Sequence, residues 1–182
     1  GAEAATSFAT GMGAISNTLF TFLTPGNRVV SIKDTYGGTS KIFLDFLPTY
    51  NVDVKLCETT DFDQIEEEIN KGCQLVYLET PTNPTLKIID IKRIAATAKK
   101  AGAIVVVDNT FASPVNQNPL QLGADLVLHS ATKFLCGHSD AMGGVLAGKE
   151  ELVKKVFQFR EINGASLQAG AAYLISRGMK TL

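Results

Sequence analysis

Short apolar runs alternate with amphipathic stretches along this chain, and that alternation leaves few folds open. The runs are 28–32, 52–56, 75–78, 104–107, 126–128 and 145–147. Several are continuously apolar rather than alternating, as strands covered on both faces are. The spacing of apolar residues predicts helices over 14–23, 39–47, 62–70, 91–100 and 150–160. Gly72 and Gly102 fall where helix C-terminal glycines belong, and Pro25-Gly26 ends the first helix. Strand–helix alternation of this kind predicts an α/β fold, with a mainly parallel sheet and helices on both faces. The 182 residues, 45% of them hydrophobic, suffice for one domain over 1–182 with a sizeable core. In such sheets ligands bind beyond the carboxyl ends of the strands, so the chemistry belongs in the residues where each strand ends.

Those residues are chemically pointed. His129-Ser130-Ala131-Thr132-Lys133 closes the run before it. A lysine behind buried strand residues is expected to be desolvated, and a desolvated amine forms Schiff bases with carbonyl compounds. The hydroxyls of Ser130 and Thr132 beside it suit a phosphate. An aldehyde and a phosphate on one small molecule describe pyridoxal 5′-phosphate (PLP). Asp108 ends the run 104–107, where a carboxylate against the pyridine nitrogen would keep it protonated and strengthen the ring as an electron sink. Tyr36, in Thr35-Tyr36-Gly37-Gly38, is placed to stack on a planar ring. Glu79 and Asn83 lie in Glu79-Thr80-Pro81-Thr82-Asn83-Pro84, whose prolines stiffen the loop. Asn83 is a hydrogen-bonding candidate for a ring substituent and Glu79 a buttress for nearby polar groups. Near the start, small residues lead into a helix, and the amides of Gly11 and Met12 are candidates for the phosphate.

Other chemistries fit less of the chain. Gly11-x-Gly13-x-x-Ser16 with Asp34 approximates a dinucleotide fingerprint, which keeps a nicotinamide-dependent dehydrogenase domain as the rival reading. It lacks the third glycine, follows a poor strand at 7–10, and leaves Lys133, Asp108 and Tyr36 without a role. A non-catalytic α/β binding domain leaves all the strand-end residues as coincidence. The adjacent His138-Ser139-Asp140 is no catalytic triad, because triads assemble from distant positions. Two histidines are too few to suggest a metal centre, and His129 reads as structural. The cysteines Cys57, Cys73 and Cys136 form no CxxC pair and read as buried small apolar residues of a reducing cytoplasm. A net charge of −1 favours neither nucleic acid nor an anionic membrane as partner. The chain opens inside a structured-looking segment without methionine and reads as a piece of a longer protein.

These motifs in this order resemble the PLP-dependent transsulfuration enzymes, the Cys/Met metabolism family, over residues 4–182. The resemblance is carried by Ser-x-x-x-Gly-Met, Tyr-Gly-Gly-Thr, Glu-Thr-Pro-Thr-Asn-Pro-Thr, Val-Asp-Asn-Thr-Phe, His-Ser-Ala-Thr-Lys-Phe-Leu-x-Gly-His-Ser-Asp and Arg-Gly-x-Lys-Thr-Leu. It implies the large PLP-binding domain of the aspartate-aminotransferase type, fold type I. It also implies Lys133 as the Schiff-base lysine, Asp108 at the pyridine nitrogen and Tyr36 on the ring. The phosphate falls to Gly11, Met12, Ser130 and Thr132, and the ring's hydroxyl side to Asn83, with Glu79 nearby. The implied activity is γ-elimination or γ-replacement on a small sulfur amino acid or O-substituted homoserine, of the cystathionine γ-lyase or γ-synthase type. Methionine γ-lyase and cystathionine β-lyase are the alternatives within the family. Gly38 stands where methionine γ-lyases typically carry a cysteine, and His138-Ser139-Asp140 is similar to the cystathionine enzymes. The implied assembly is a homotetramer, a dimer of dimers. The family's N-terminal segment and C-terminal domain are not among these residues, so PLP binding without full turnover is expected of them alone.

Overall fold

The computed structural model describes residues 1–182 around a seven-stranded sheet. The chain runs β1 (Ala4–Phe8), α1 (Gly11–Phe22), β2 (Arg28–Ile32), α2 (Gly37–Lys41), β3 (Asp53–Cys57), α3 (Phe62–Asn70) and β4 (Leu75–Glu79). It continues through α4 (Ile91–Lys100), β5 (Ile104–Asp108), α5 (Ser113–Asn116), β6 (Leu126–Ser130), β7 (Gly144–Gly148), α6 (Glu150–Asn163) and α7 (Ala169–Gly178). The strand order is β1-β7-β6-β5-β4-β2-β3. The central strands pair in parallel, and β7 runs antiparallel to both of its neighbours. Every strand except β7 therefore points its carboxyl end at one edge of the sheet.

The continuous apolar runs have a direct explanation. Successive strand side chains point to opposite faces, and both faces are covered. Leu75 and Tyr77 of β4 pack on one face with Leu19 of α1 and Val156 of α6. Val76 and Leu78, between and after them, pack on the other with Ile65 of α3 and Ile94 of α4. In β5, Val106 joins the first layer while Val105 and Val107 join the second. Asp61 and Asp90 start α3 and α4 by accepting the Gln64 and Arg93 amides at 2.9 and 3.0 Å. Gly72 and Gly102 beyond those helices take φ of 95° and 74°, the left-handed conformation expected of them.

The expected strands and helices are present with ends shifted by at most three residues, with one exception. Over 39–47 the structure has α2, then a π-helical turn at Ile42–Phe46 and a 3-10 turn at Leu47–Tyr50. Pro48 has no N–H for a helical bond, and its ring crowds the carbonyl four residues back, so a regular helix cannot run through it. Three elements were not expected: β1, α5 and α7. The edge strand β1 buries only Thr6 and Phe8, and α7 only Ile175 and Gly178, so neither shows a full apolar stripe. No helix is long and apolar enough to cross a membrane.

Leu19 lies fully buried in α1, the helix whose first turn reaches the carboxyl edge. Leu19→Ala is expected to cost about 3 kcal/mol, read as a lowered urea midpoint at unchanged slope.

Candidate active site

A cavity of about 250 Å³ opens at the carboxyl edge, beside the ends of β4, β5 and β6 and the start of α1. All nine residues singled out in the sequence line it: Gly11, Met12, Tyr36, Glu79, Asn83, Asp108, Ser130, Thr132 and Lys133.

One corner is built for an anion. The Thr10 hydroxyl accepts the Gly13 amide at 2.8 Å and its carbonyl the Ala14 amide at 3.1 Å. The amides of Gly11 and Met12, the first two of the helix, are left without an acceptor in the chain. They stand at the positive end of the helix dipole. Gly11 also backs directly onto β6: a Cβ there would lie 2.7 Å from the Ser130 Cβ. Only glycine lets α1 begin this close to the Ser130 hydroxyl. Thr132 is fixed by its contact with Gly143, whose amide donates to the Thr132 hydroxyl at 3.1 Å.

Asp108 is a buried acid with no cation in the chain to offset it. Its Oδ1 accepts the Thr110 amide at 3.0 Å and its Oδ2 the Tyr77 hydroxyl at 3.3 Å. Burial outweighs both bonds and raises its pKa above the ordinary carboxylate range. A protonated ring nitrogen would supply the missing positive charge. Glu79, at the matching position of β4, joins two loops. Its Oε2 accepts the Tyr36 amide at 2.7 Å and its Oε1 the Asn83 amide at 3.2 Å. Burial, then the nearby Asp108, push it up from an ordinary 4.5 to about 7.

Lys133 requires a correction. It is exposed, not desolvated as its place behind a buried strand led us to expect. β6 ends at Ser130, and the turn that follows carries the lysine to the cavity mouth. Tyr36 is 49% exposed and Asn83 is exposed, both at the same opening. A larger, open cavity of about 1000 Å³ continues outward past Phe134, Ser139 and Asp140. His129 is buried, and burial alone lowers its pKa to about 4, which keeps the imidazole neutral and structural. The three cysteines are buried and free.

The dehydrogenase reading loses its geometry. β1 and β2, which should be adjacent, are separated by four strands. Asp34 accepts from Lys87 Nζ at 2.8 Å and from the Thr59 hydroxyl, and it does not line the cavity. Sequence reasoning missed four lining residues: Ile15, Thr110, Phe111 and Met142. The strand-end argument that found Asp108 extends naturally to Thr110 and Phe111. Nothing in the spacing points to Met142.

The donor set suits PLP: free amides and hydroxyls for a phosphate, a buried carboxylate for a ring nitrogen, and an amine for an aldehyde. The comparisons with known proteins agree. The chain matches the family described as Cys/Met metabolism PLP-dependent enzyme over residues 1–182. It is 43% identical over its whole length to an L-methionine gamma-lyase of Porphyromonas gingivalis, covering 46% of that protein. It is 41% identical over 99% of its length to a cystathionine gamma-lyase of Bacillus subtilis, covering 48% of it. Among solved structures, a cystathionine gamma-lyase from Lactobacillus plantarum superposes with a TM-score of 0.94 at 39% identity. That match covers 99% of this chain and 47% of the other. The chain thus spans about half the length of the relatives it matches, and similar identities to lyases of different specificity do not separate the members. By matched motifs, sheet topology and identity over nearly all of its length, the chain belongs to the Cys/Met metabolism PLP-dependent enzymes, of fold type I.

Proposed function

We propose that this chain is the cofactor-binding half of an enzyme of γ-elimination or γ-replacement, of the cystathionine γ-lyase or γ-synthase type. Its substrates are small sulfur amino acids or O-substituted homoserines. One observation carries the reading: the buried carboxylate of Asp108 shares a cavity with a lysine amine, a phenol and two unpaired helix amides. When bound, PLP supplies a carbonyl for the substrate amine and a protonated ring that drains charge from Cα.

The chain's own residues do the rest. The Gly11 and Met12 amides and the Ser130 and Thr132 hydroxyls hold the phosphate. Asp108 would hold the proton on the ring nitrogen, and Asn83 would serve the ring's hydroxyl side. Lys133 would hold the cofactor through its amine; that amine would take the substrate Cα proton and, only after giving that proton up, the Cβ proton. The Tyr36 phenol donates to the departing sulfur or oxygen. Glu79 acts from below, holding the Tyr36 and Asn83 loops at a fixed separation through their amides.

Gly38 favours the cystathionine reading over methionine γ-lyase. A Cβ at this position would meet Met12 Sδ at 2.7 Å and Tyr36 Cε1 at 3.0 Å. The cysteine typical of methionine γ-lyases would have to displace Met12 from the cavity wall. Assembly as a dimer of dimers belongs to the same proposal.

Given cystathionine, the whole enzyme is expected to release 2-oxobutanoate, the product of γ-elimination; pyruvate in its place would identify a β-lyase. Lys133→Ala is expected to lower turnover by roughly a thousandfold or more, since it removes the proton carrier as well as the attachment amine; steady-state activity near that of the parent would refute the assignment. Glu79 generates a pH effect in the cofactor-free protein. Folded, it keeps a proton between about 4.5 and about 7, where the unfolded chain has lost it, so its contribution makes stability fall as pH rises through that window. Urea titrations from pH 4.5 to 7 are expected to show a flatter slope for Glu79→Gln than for the parent; parallel slopes would remove Glu79 as the titrating group.

A further inference from the structure

Asp108 and Ser130 end neighbouring strands, and a residue without an assigned role joins them. The Thr110 amide donates to Asp108 Oδ1 at 3.0 Å, and the Thr110 hydroxyl oxygen accepts the Ser130 amide at 2.7 Å. The sheet explains why a hydroxyl is needed there. β5 and β6 stay in register as far as Asp108 and Leu128, and the Asn109 amide still reaches the Leu128 carbonyl at 2.9 Å. The chain then turns out of the sheet, and the next amide across, that of Ser130, meets a side chain instead of a carbonyl. One residue thus ties the two strand ends together, its amide to Asp108 and its hydroxyl oxygen to Ser130. The turn itself is locked. Asn109 Nδ2 donates to the Gln117 carbonyl at 2.9 Å, and Gln117 Nε2 donates back to Asn109 Oδ1 at 2.8 Å.

We propose that Thr110 is a positioning residue of the cofactor site, whose amide holds Asp108 while its hydroxyl holds the Ser130 backbone at the anion corner. The proposal rests on the PLP reading of the cavity. No other group facing Asp108 does both. Tyr77 of β4 reaches only the other oxygen, Oδ2, at 3.3 Å. Glu79 of β4 is an acid and opposes the charge. Lys133 shares the cavity from the turn after β6, and α1 brings no titratable side chain.

The test is the PLP dissociation constant of the whole apoenzyme as a function of pH, for the parent, Thr110→Val and Thr110→Ser. Valine keeps the shape and loses the hydroxyl; serine keeps the hydroxyl and loses the methyl. Thr110→Val is expected to bind PLP roughly tenfold more weakly, about the worth of the one hydrogen bond it loses. The acid limb of its pH profile is expected to stay in place, because Asp108 keeps the Thr110 amide. Thr110→Ser is expected to match the parent in both respects. The reverse ranking would mean that Thr110 only fills space and would overturn the proposal, as would a Thr110→Val enzyme that binds PLP as tightly as the parent. Thermal unfolding of each apoenzyme shows whether it folds; if Thr110→Val does not, Thr110→Ala against Thr110→Ser makes the same comparison. A parent enzyme that binds no PLP at any pH would instead remove the PLP reading itself.

Discussion

A buried carboxylate without a cation is costly, and the cavity of this protein is organised around one. Asp108 ends β5 in an apolar layer, with an amide and a phenol for partners but no positive charge. A chain under pressure only to fold would place an apolar residue at the end of that strand. The acid makes sense when a cationic ligand group completes the pair, and a protonated pyridine nitrogen is such a group. Its place in a cavity that a lysine and two unpaired helix amides also line ties the local cost to a binding function.

The sheet makes the site possible. Because β1, β2, β4, β5 and β6 all point their carboxyl ends at one edge, residues far apart in sequence meet there. The α1 helix brings its positive end to the same edge, and glycine at position 11 lets it approach Ser130. Glu79 sets the loops on either side relative to each other through one side chain. The catalytic candidates Tyr36 and Lys133 remain exposed at the opening, where a substrate can reach them.

Much of this was legible in the sequence, for physical reasons. Doubly covered strands must be apolar on both faces, so the central strands announce themselves, and polar residues at their ends stand out against them. That logic located Asp108, Glu79, Ser130 and Lys133. It failed where burial is partial. The edge strand β1 and the helix α7 bury too few residues to show a period. It also misjudged the surroundings of Lys133, because a strand's burial says nothing about the turn beyond it. Met142 reaches the cavity through a loop whose path no local pattern encodes. The resemblance to a known family supplied the roles of Gly11, Met12 and Asn83, which spacing alone left as candidates.

The central claim is that one cavity holds PLP with Lys133 as its attachment point. The most direct measurement is a visible absorption spectrum of the whole enzyme with PLP, followed by borohydride reduction and mapping of the modified peptide. The account predicts a visible band that reduction abolishes, with the label fixed on Lys133. A label on another lysine, or no band at saturating PLP, would contradict it.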